Sequence, residues 1–209
     1  SAAIWMNIAL IRAFHEANGE GETRREVITT IFSHPSNAAA AKAAGFDVIT
    51  IHPDANGYPD LEAFRAALSP RTAAILVTNP EDTGIFNPHI RSWVDEAHAV
   101  GALASYDQAN ANGILGITRA REAGFDVCHF NLHKTFSTPH ASGGPGGGVN
   151  AVSEKLARFL PGPRVVREGD RFVSTPAGPD SIGAVAPFYS VLPDITRAPG
   201  HAAATSTYS

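Results

Sequence analysis

Apolar positions recur along this chain at two alternating spacings. Ile4, Ile8, Leu10, Ile11 and Phe14 fall at helical intervals and predict a helix over residues 2–17, closed by Asn18-Gly19. A short β-branched run predicts a strand over 27–32. The Ala-rich stretch 37–44 reads as a helix ended by Gly45, a residue that accepts positive φ at low cost. A strand over 46–52 follows, then a turn at Asn56-Gly57. A helix over 61–68 has Asp60 as its N-cap and Glu62 in its first turn. Residues 72–78 are almost continuously apolar, as a strand covered on both faces must be. Asn79-Pro80 breaks that run, and Asn87 and Pro88 open a helix that reaches 100. Strands over 101–106, 125–131 and 149–152 and a helix over 153–159 complete the pattern.

Such alternation implies an α/β fold, a three-layer sandwich with a central, largely parallel sheet. Residues 1–160 read as a single large domain, and 161–209 as an extended connection and divergent tail. Residues 201–209 carry no periodic apolar face and read as loose, and Ser1 has no Met before it. Both ends therefore look cut. In folds of this kind ligands sit at the carboxyl ends of the strands. Four predicted strand ends carry chemistry-bearing residues: His34, Thr78-Asn79-Pro80, Asp107 and His133-Lys134-Thr135.

Composition narrows the function. Apolar residues make up 44 % of the chain and charged ones 17 %, which suits a packed core. Sixteen Lys+Arg against twenty Asp+Glu give a net charge of −4. No basic excess exists to displace counterions from nucleic acid. No apolar run approaches the roughly 18–20 residues of a membrane span, and no secretory signal opens the chain. Cys128 is the single cysteine, so neither a disulfide framework nor a multi-cysteine zinc site can form. It reads as a core residue. His129, His133 and His140 lack the spacing and the intervening glutamate of a zinc motif. The glycine-rich run 142–148 matches no nucleotide loop and reads as close backbone approach beside Lys134.

Lys134 and Asp107 are the informative pair. A lysine in a dry setting, or beside a cation such as His133, loses its proton and can attack a carbonyl. A carboxylate after the neighbouring strand can hold a protonated aromatic nitrogen. Together they suggest pyridoxal phosphate, with Lys134 forming the imine and Asp107 keeping the ring nitrogen charged. Ala109 is small enough to lie against the ring. The competing assignments are a surface lysine and a helix-capping aspartate.

The run from Asp126 through His129-Phe130-Asn131-Leu132-His133-Lys134-Thr135-Phe136-Ser137-Thr138-Pro139-His140, with Gly143-Gly144-Pro145-Gly146, resembles the lysine segment of glycine dehydrogenase (decarboxylating), the P-protein family of the glycine cleavage system. Residues 11–16, Thr78-Asn79-Pro80 and Tyr106-Asp107-Gln108-Ala109-Asn110 resemble that family in the same order, and the likeness spans about residues 8–190. The resemblance implies the large domain of the type I pyridoxal-phosphate fold, without the family's C-terminal domain. It implies Lys134 as the catalytic, cofactor-bearing lysine, Asp107 on the pyridine nitrogen, His34 over the ring and His133 beside it. The implied reaction decarboxylates glycine and passes the aminomethyl group to the lipoyl arm of H-protein. The implied assembly is a homodimer or a heteromer with a second P-protein subunit, in the cytoplasm of a bacterium or the mitochondrial matrix of a eukaryote. The chain departs from the family's glycines at Pro35, Ala141 and Ser142, and its opening Ser1-Ala2-Ala3-Ile4-Trp5 lacks the family's phosphate-binding helix start. A desulfurase or aminotransferase of the same fold, or an inactive partner-binding subunit, are the rival readings.

Overall fold

A computed structural model describes residues 2–138, 140, 144, 146–185 and 192–206. The expectations attached to Ala141 and Ser142 lie outside the described residues. One six-stranded sheet forms the centre, in the order β2-β1-β3-β4-β5-β6. Its strands are β1 (Glu26–Thr30), β2 (Asp47–Ile51), β3 (Thr72–Thr78), β4 (Leu103–Gln108), β5 (Val127–Asn131) and β6 (Gly148–Val152). β1 to β5 run parallel, and β6 returns antiparallel along β5.

Helices cover both faces. α1 (Ala2–Ala17), α2 (Pro35–Ala43) and the single turn α5 (Glu154–Ala157) share one side, and α3 (Leu61–Ala67) and α4 (Ile90–Ala99) lie on the other. β3 explains its own composition: Ala74 and Leu76 enter the core under α1, while Ile75 and Val77 enter the core under α3 and α4. Ile8 and Ile11 of α1 pack there with Leu103, Val127 and Leu156. On the opposite face Phe64 and Trp93 stack at 3.9 Å and join α3 to α4. Cys128 belongs to this second core, where burial raises its thiol pKa.

The element boundaries differ from expectation where side chains compete for backbone groups. α2 starts at Pro35, two positions early, because His34 Nδ1 accepts the Ser36 N–H and Pro fits the first turn. α4 starts late, at Ile90, because Asn87 turns the chain instead of capping it. Its Oδ1 accepts the His89 N–H, and its own N–H goes to Asn79 Oδ1. Residues 161–209 are more regular than the extended reading allowed. They include an antiparallel ribbon, β7 (Arg164–Glu168) with β8 (Arg171–Thr175), and a helix α6 (Leu192–Ser206). Pro199 inside α6 hid that helix, whose Ala202-Ala203-Ala204 has high helix propensity without an apolar stripe.

Asp126 ties the layers at the amino edge of the sheet. It is 4 % exposed. Its Oδ2 accepts His98 Nε2–H from α4 and the Ala104 N–H of β4, each at 2.8 Å, and Oδ1 meets Lys155 Nζ of α5 at 2.6 Å. Burial alone would raise its pKa, but the bonds from His98, Lys155 and Ala104 outweigh burial and hold it below 3.8. A depressed folded-state pKa stabilises above the unfolded value and is lost as pH falls through the folded one. Urea denaturation should therefore show Asp126→Asn less stable by about 1–3 kcal/mol at pH 7, because the Lys155 and His98 side chains left behind are partly exposed. In the unaltered chain the same contribution should fade once pH drops below 3.8.

Candidate active site

The parallel strands deliver a polar row at their carboxyl ends. Thr78, Asp107, His129 and Asn150 are register partners on β3, β4, β5 and β6. Side chains alternate faces along a strand, so this register puts all four on the α1 and α2 side. Asn150 Nδ2 donates to Ala3 O at 2.9 Å and to Asn7 Oδ1, and Asn7 in turn donates to Ser105 Oγ at 3.2 Å.

The donors around Asp107 have one consistent direction. Ser33 Oγ accepts the N–H of Thr78 and an N–H of Asn37 Nδ2, both at 3.0 Å. Its own hydrogen therefore points to Thr78 Oγ1, 2.9 Å away. Thr78 Oγ1 also accepts the His34 N–H at 3.0 Å, which leaves its hydrogen for Asp107 Oδ2 at 3.3 Å. Asn37 gives its second hydrogen to Oδ2 at 3.0 Å. Oδ1 accepts the Ala109 N–H at 3.0 Å, and His129 Nε2 lies 3.3 Å from it. Asp107 is 3 % exposed and His129 2 %. Asp107 is thus the next-to-last residue of β4 and closes a two-residue turn to Ala109; no helix begins there for it to cap.

The lysine segment leaves β5 under several restraints. Asn131 N donates to Ala109 O at 3.2 Å, Leu132 N to Gly147 O at 2.9 Å, and Ala111 N to Thr135 Oγ1 at 2.9 Å. Leu132 and Thr135 are buried on either side of Lys134, whose side chain is exposed. The dry setting expected of Lys134 is thus not met within the described chain. His133 is not the cation beside it either. Burial first, then the charge of His140, push its pKa below the ordinary histidine value. Its ring lies over Gly146, where an added Cβ would come within 2.8 Å of ring atoms, so any other residue there must displace the His133 ring. The His34 ring is exposed, and its Nδ1 accepts the Ser36 N–H at 3.2 Å.

These residues converge. Lys134 and His34 both act electrostatically on the His129 ring beside Asp107. Ala109 bridges Asp107 and the root of the lysine segment. Asn37, Ser33 and His129 escaped the sequence reading. Their signal is the spacing of Ser33 and Asn37 across one helical turn, and the alternation that sets Asp107 and His129 on one face.

The family model described as aminotransferase class-V matches residues 6–165. The chain belongs to that family. It is 44 % identical over 185 residues to "Probable glycine dehydrogenase (decarboxylating) subunit 2" of Halalkalibacterium halodurans, covering 88 % of this chain and 38 % of that protein. The protein of the same name from Thioalkalivibrio sulfidiphilus is 45 % identical over 183 residues, covering 87 % of this chain and 37 % of its own length. The chain therefore spans less than half of these relatives. Among solved structures, an inhibitor-bound glycine decarboxylase (P-protein) of the glycine cleavage system superposes with TM-score 0.71 at 18 % identity, over 98 % of this chain and 47 % of that one. The Escherichia coli cysteine desulfurase CsdA superposes with TM-score 0.65 at 18 % identity, over 97 % and 50 %. The fold is that of the large domain of type I pyridoxal-phosphate enzymes, and these two structures share it.

The Asp107 network sets a clear charge test. Asn37→Asp would place a second carboxylate where the amide now lies, 3.0 Å from Asp107. Thermal unfolding should show this variant well below the unaltered chain at pH 7. Part of the loss should return near pH 4–5, where one of two facing carboxylates takes a proton.

Proposed function

We propose that this chain is the cofactor-bearing portion of a glycine dehydrogenase (decarboxylating), with residues 1–160 as the pyridoxal-phosphate domain and 161–209 as its connection onward. One observation carries this reading: 44 % identity over 88 % of the chain to a relative of that name. Lys134 and Asp107 stand at adjacent strand ends within that stretch. The solved structures favour no single chemistry, because at 18 % identity they speak to the fold alone.

The residues fit the cofactor. Asp107 receives only neutral or backbone donors, so its charge is hydrogen-bonded but not neutralised. A ring N–H⁺ would supply the missing cation, and Lys134 offers an amine near the same edge. Pyridoxal phosphate, when bound, supplies an electron sink for the pair left behind when glycine loses its carboxylate. Asp107 would hold the ring proton. Lys134 would hold the cofactor's aldehyde carbon and give way to the amine of glycine. His34 would cover one ring face, Ala109 would leave room for the ring, and His133 would line the approach.

The partners in this reading are glycine and the lipoyl arm of H-protein, which would accept the aminomethyl group. The relatives' name, subunit 2, favours a heteromer with a second P-protein subunit, and a homodimer is the other arrangement. The setting would be the cytoplasm of a bacterium. Among the described residues no helix is long and apolar enough to cross a membrane.

Borohydride reduction with pyridoxal phosphate present, followed by peptide mapping, should place the label on Lys134. Label on Lys42 or Lys155 would overturn the assignment. Glycine-dependent CO2 exchange by the assembled system should disappear in Lys134→Ala.

A further inference from the structure

His129 has no role in the reading above, yet it is among the most enclosed polar side chains of the sheet. It is 2 % exposed. Its β4 register partner is Asp107 and its β6 register partner is Asn150. The Asn150 Nδ2 hydrogens are engaged by Ala3 O and Asn7 Oδ1. Among the described residues His129 Nδ1 is buried without a hydrogen-bond partner, while Nε2 lies 3.3 Å from Asp107 Oδ1.

The proton on this ring follows from its surroundings. Burial lowers the His129 pKa, Asp107 opposes that, and weaker influences, Lys134 and His34 among them, lower it further; the net direction is down. A neutral imidazole carries one N–H. On Nδ1 that N–H would be a buried donor without an acceptor, and the Nε2 lone pair would face a carboxylate. On Nε2 it faces Oδ1. The surroundings therefore select the Nε2–H form.

We propose that His129 is a positioning residue for Asp107, its Nε2–H held against Oδ1 so that the carboxylate keeps one orientation toward the ring N–H of a cationic heterocycle. The inference rests on the cofactor reading given above. Oδ2 is held by Asn37 and Thr78, but Oδ1 has only the Ala109 N–H besides His129. Without His129 the carboxylate is restrained mainly at one oxygen. At 3.3 Å the two atoms are close but not aligned as a hydrogen bond, as such contacts often are before a ligand tightens them.

Two measurements test this. In the 209-residue chain without added cofactor, ¹⁵N NMR should report His129 as the neutral Nε2–H tautomer at pH 7; an Nδ1–H tautomer or a charged ring would overturn the proposal. Binding should then be compared for pyridoxal phosphate and for its 1-deaza analogue, in which carbon replaces the ring nitrogen. His129→Leu should weaken pyridoxal phosphate by about tenfold, the order expected for one polar contact, and leave the analogue unchanged. His129→Gln, which restores an N–H at a similar reach, should recover most of the affinity. An equal loss for both compounds, or a Gln variant no better than Leu, would show that His129 only packs. Failure of the unaltered chain to bind pyridoxal phosphate would instead overturn the cofactor reading, and this inference with it.

Discussion

A buried carboxylate whose donors among the described residues are amide, hydroxyl and backbone groups governs the carboxyl edge of this sheet. Removing such a charge from water is unfavourable unless donors replace the lost hydration. For Asp107 those donors come from the first turn of α2, from β3 and from the residue after β4, with the His129 ring of β5 3.3 Å away. Each must arrive in register. A slip of one residue in β3 or β5 would send Thr78 or His129 to the opposite face. The apolar cores set the spacing of the strands, and the Asp107 network fixes which residue of each strand ends there.

The two ends of the sheet solve the same problem differently. At the amino edge Asp126 is surrounded by Lys155, His98 and a backbone N–H, and its charge is balanced inside the chain. At the carboxyl edge the partners of Asp107 are an amide, a hydroxyl, a backbone N–H and a neutral imidazole. Hydrogen-bonding demand is met, but charge balance is not. The first arrangement is closed, and the second remains receptive to a cation.

Much of this was legible in the sequence. The unbroken apolar run of β3 and the shorter runs of β1, β4 and β5 announced a covered parallel sheet. Strand ends alone were enough to single out Asp107 and Lys134. His129 was not legible, because its role depends on which residue of the next strand lies opposite it, and register is a property of the assembled sheet. Asn37 was hidden as the first residue of a predicted Ala-rich helix, with nothing in that stretch to mark its side chain as a donor to a distant strand. Lys134 illustrates the opposite limit: its place was legible, but the dryness expected around it is not supplied by the described residues. α6 went unseen because Pro199 contradicts helix locally while the alanines after it favour helix.

The antiparallel return of β6 has a further consequence. Asn131 pairs with Gly148, and Leu132 N bonds Gly147 O, so the lysine segment is a loop pinned at both feet to adjacent strands. A parallel connection would carry any change of length into the placement of the next element. A pinned loop absorbs it. Residues between the feet can vary in number or kind while His129 and Asn150 keep their pairing beneath. Drift in that loop is thereby uncoupled from the scaffold that holds Asp107, and the two can diversify at different rates.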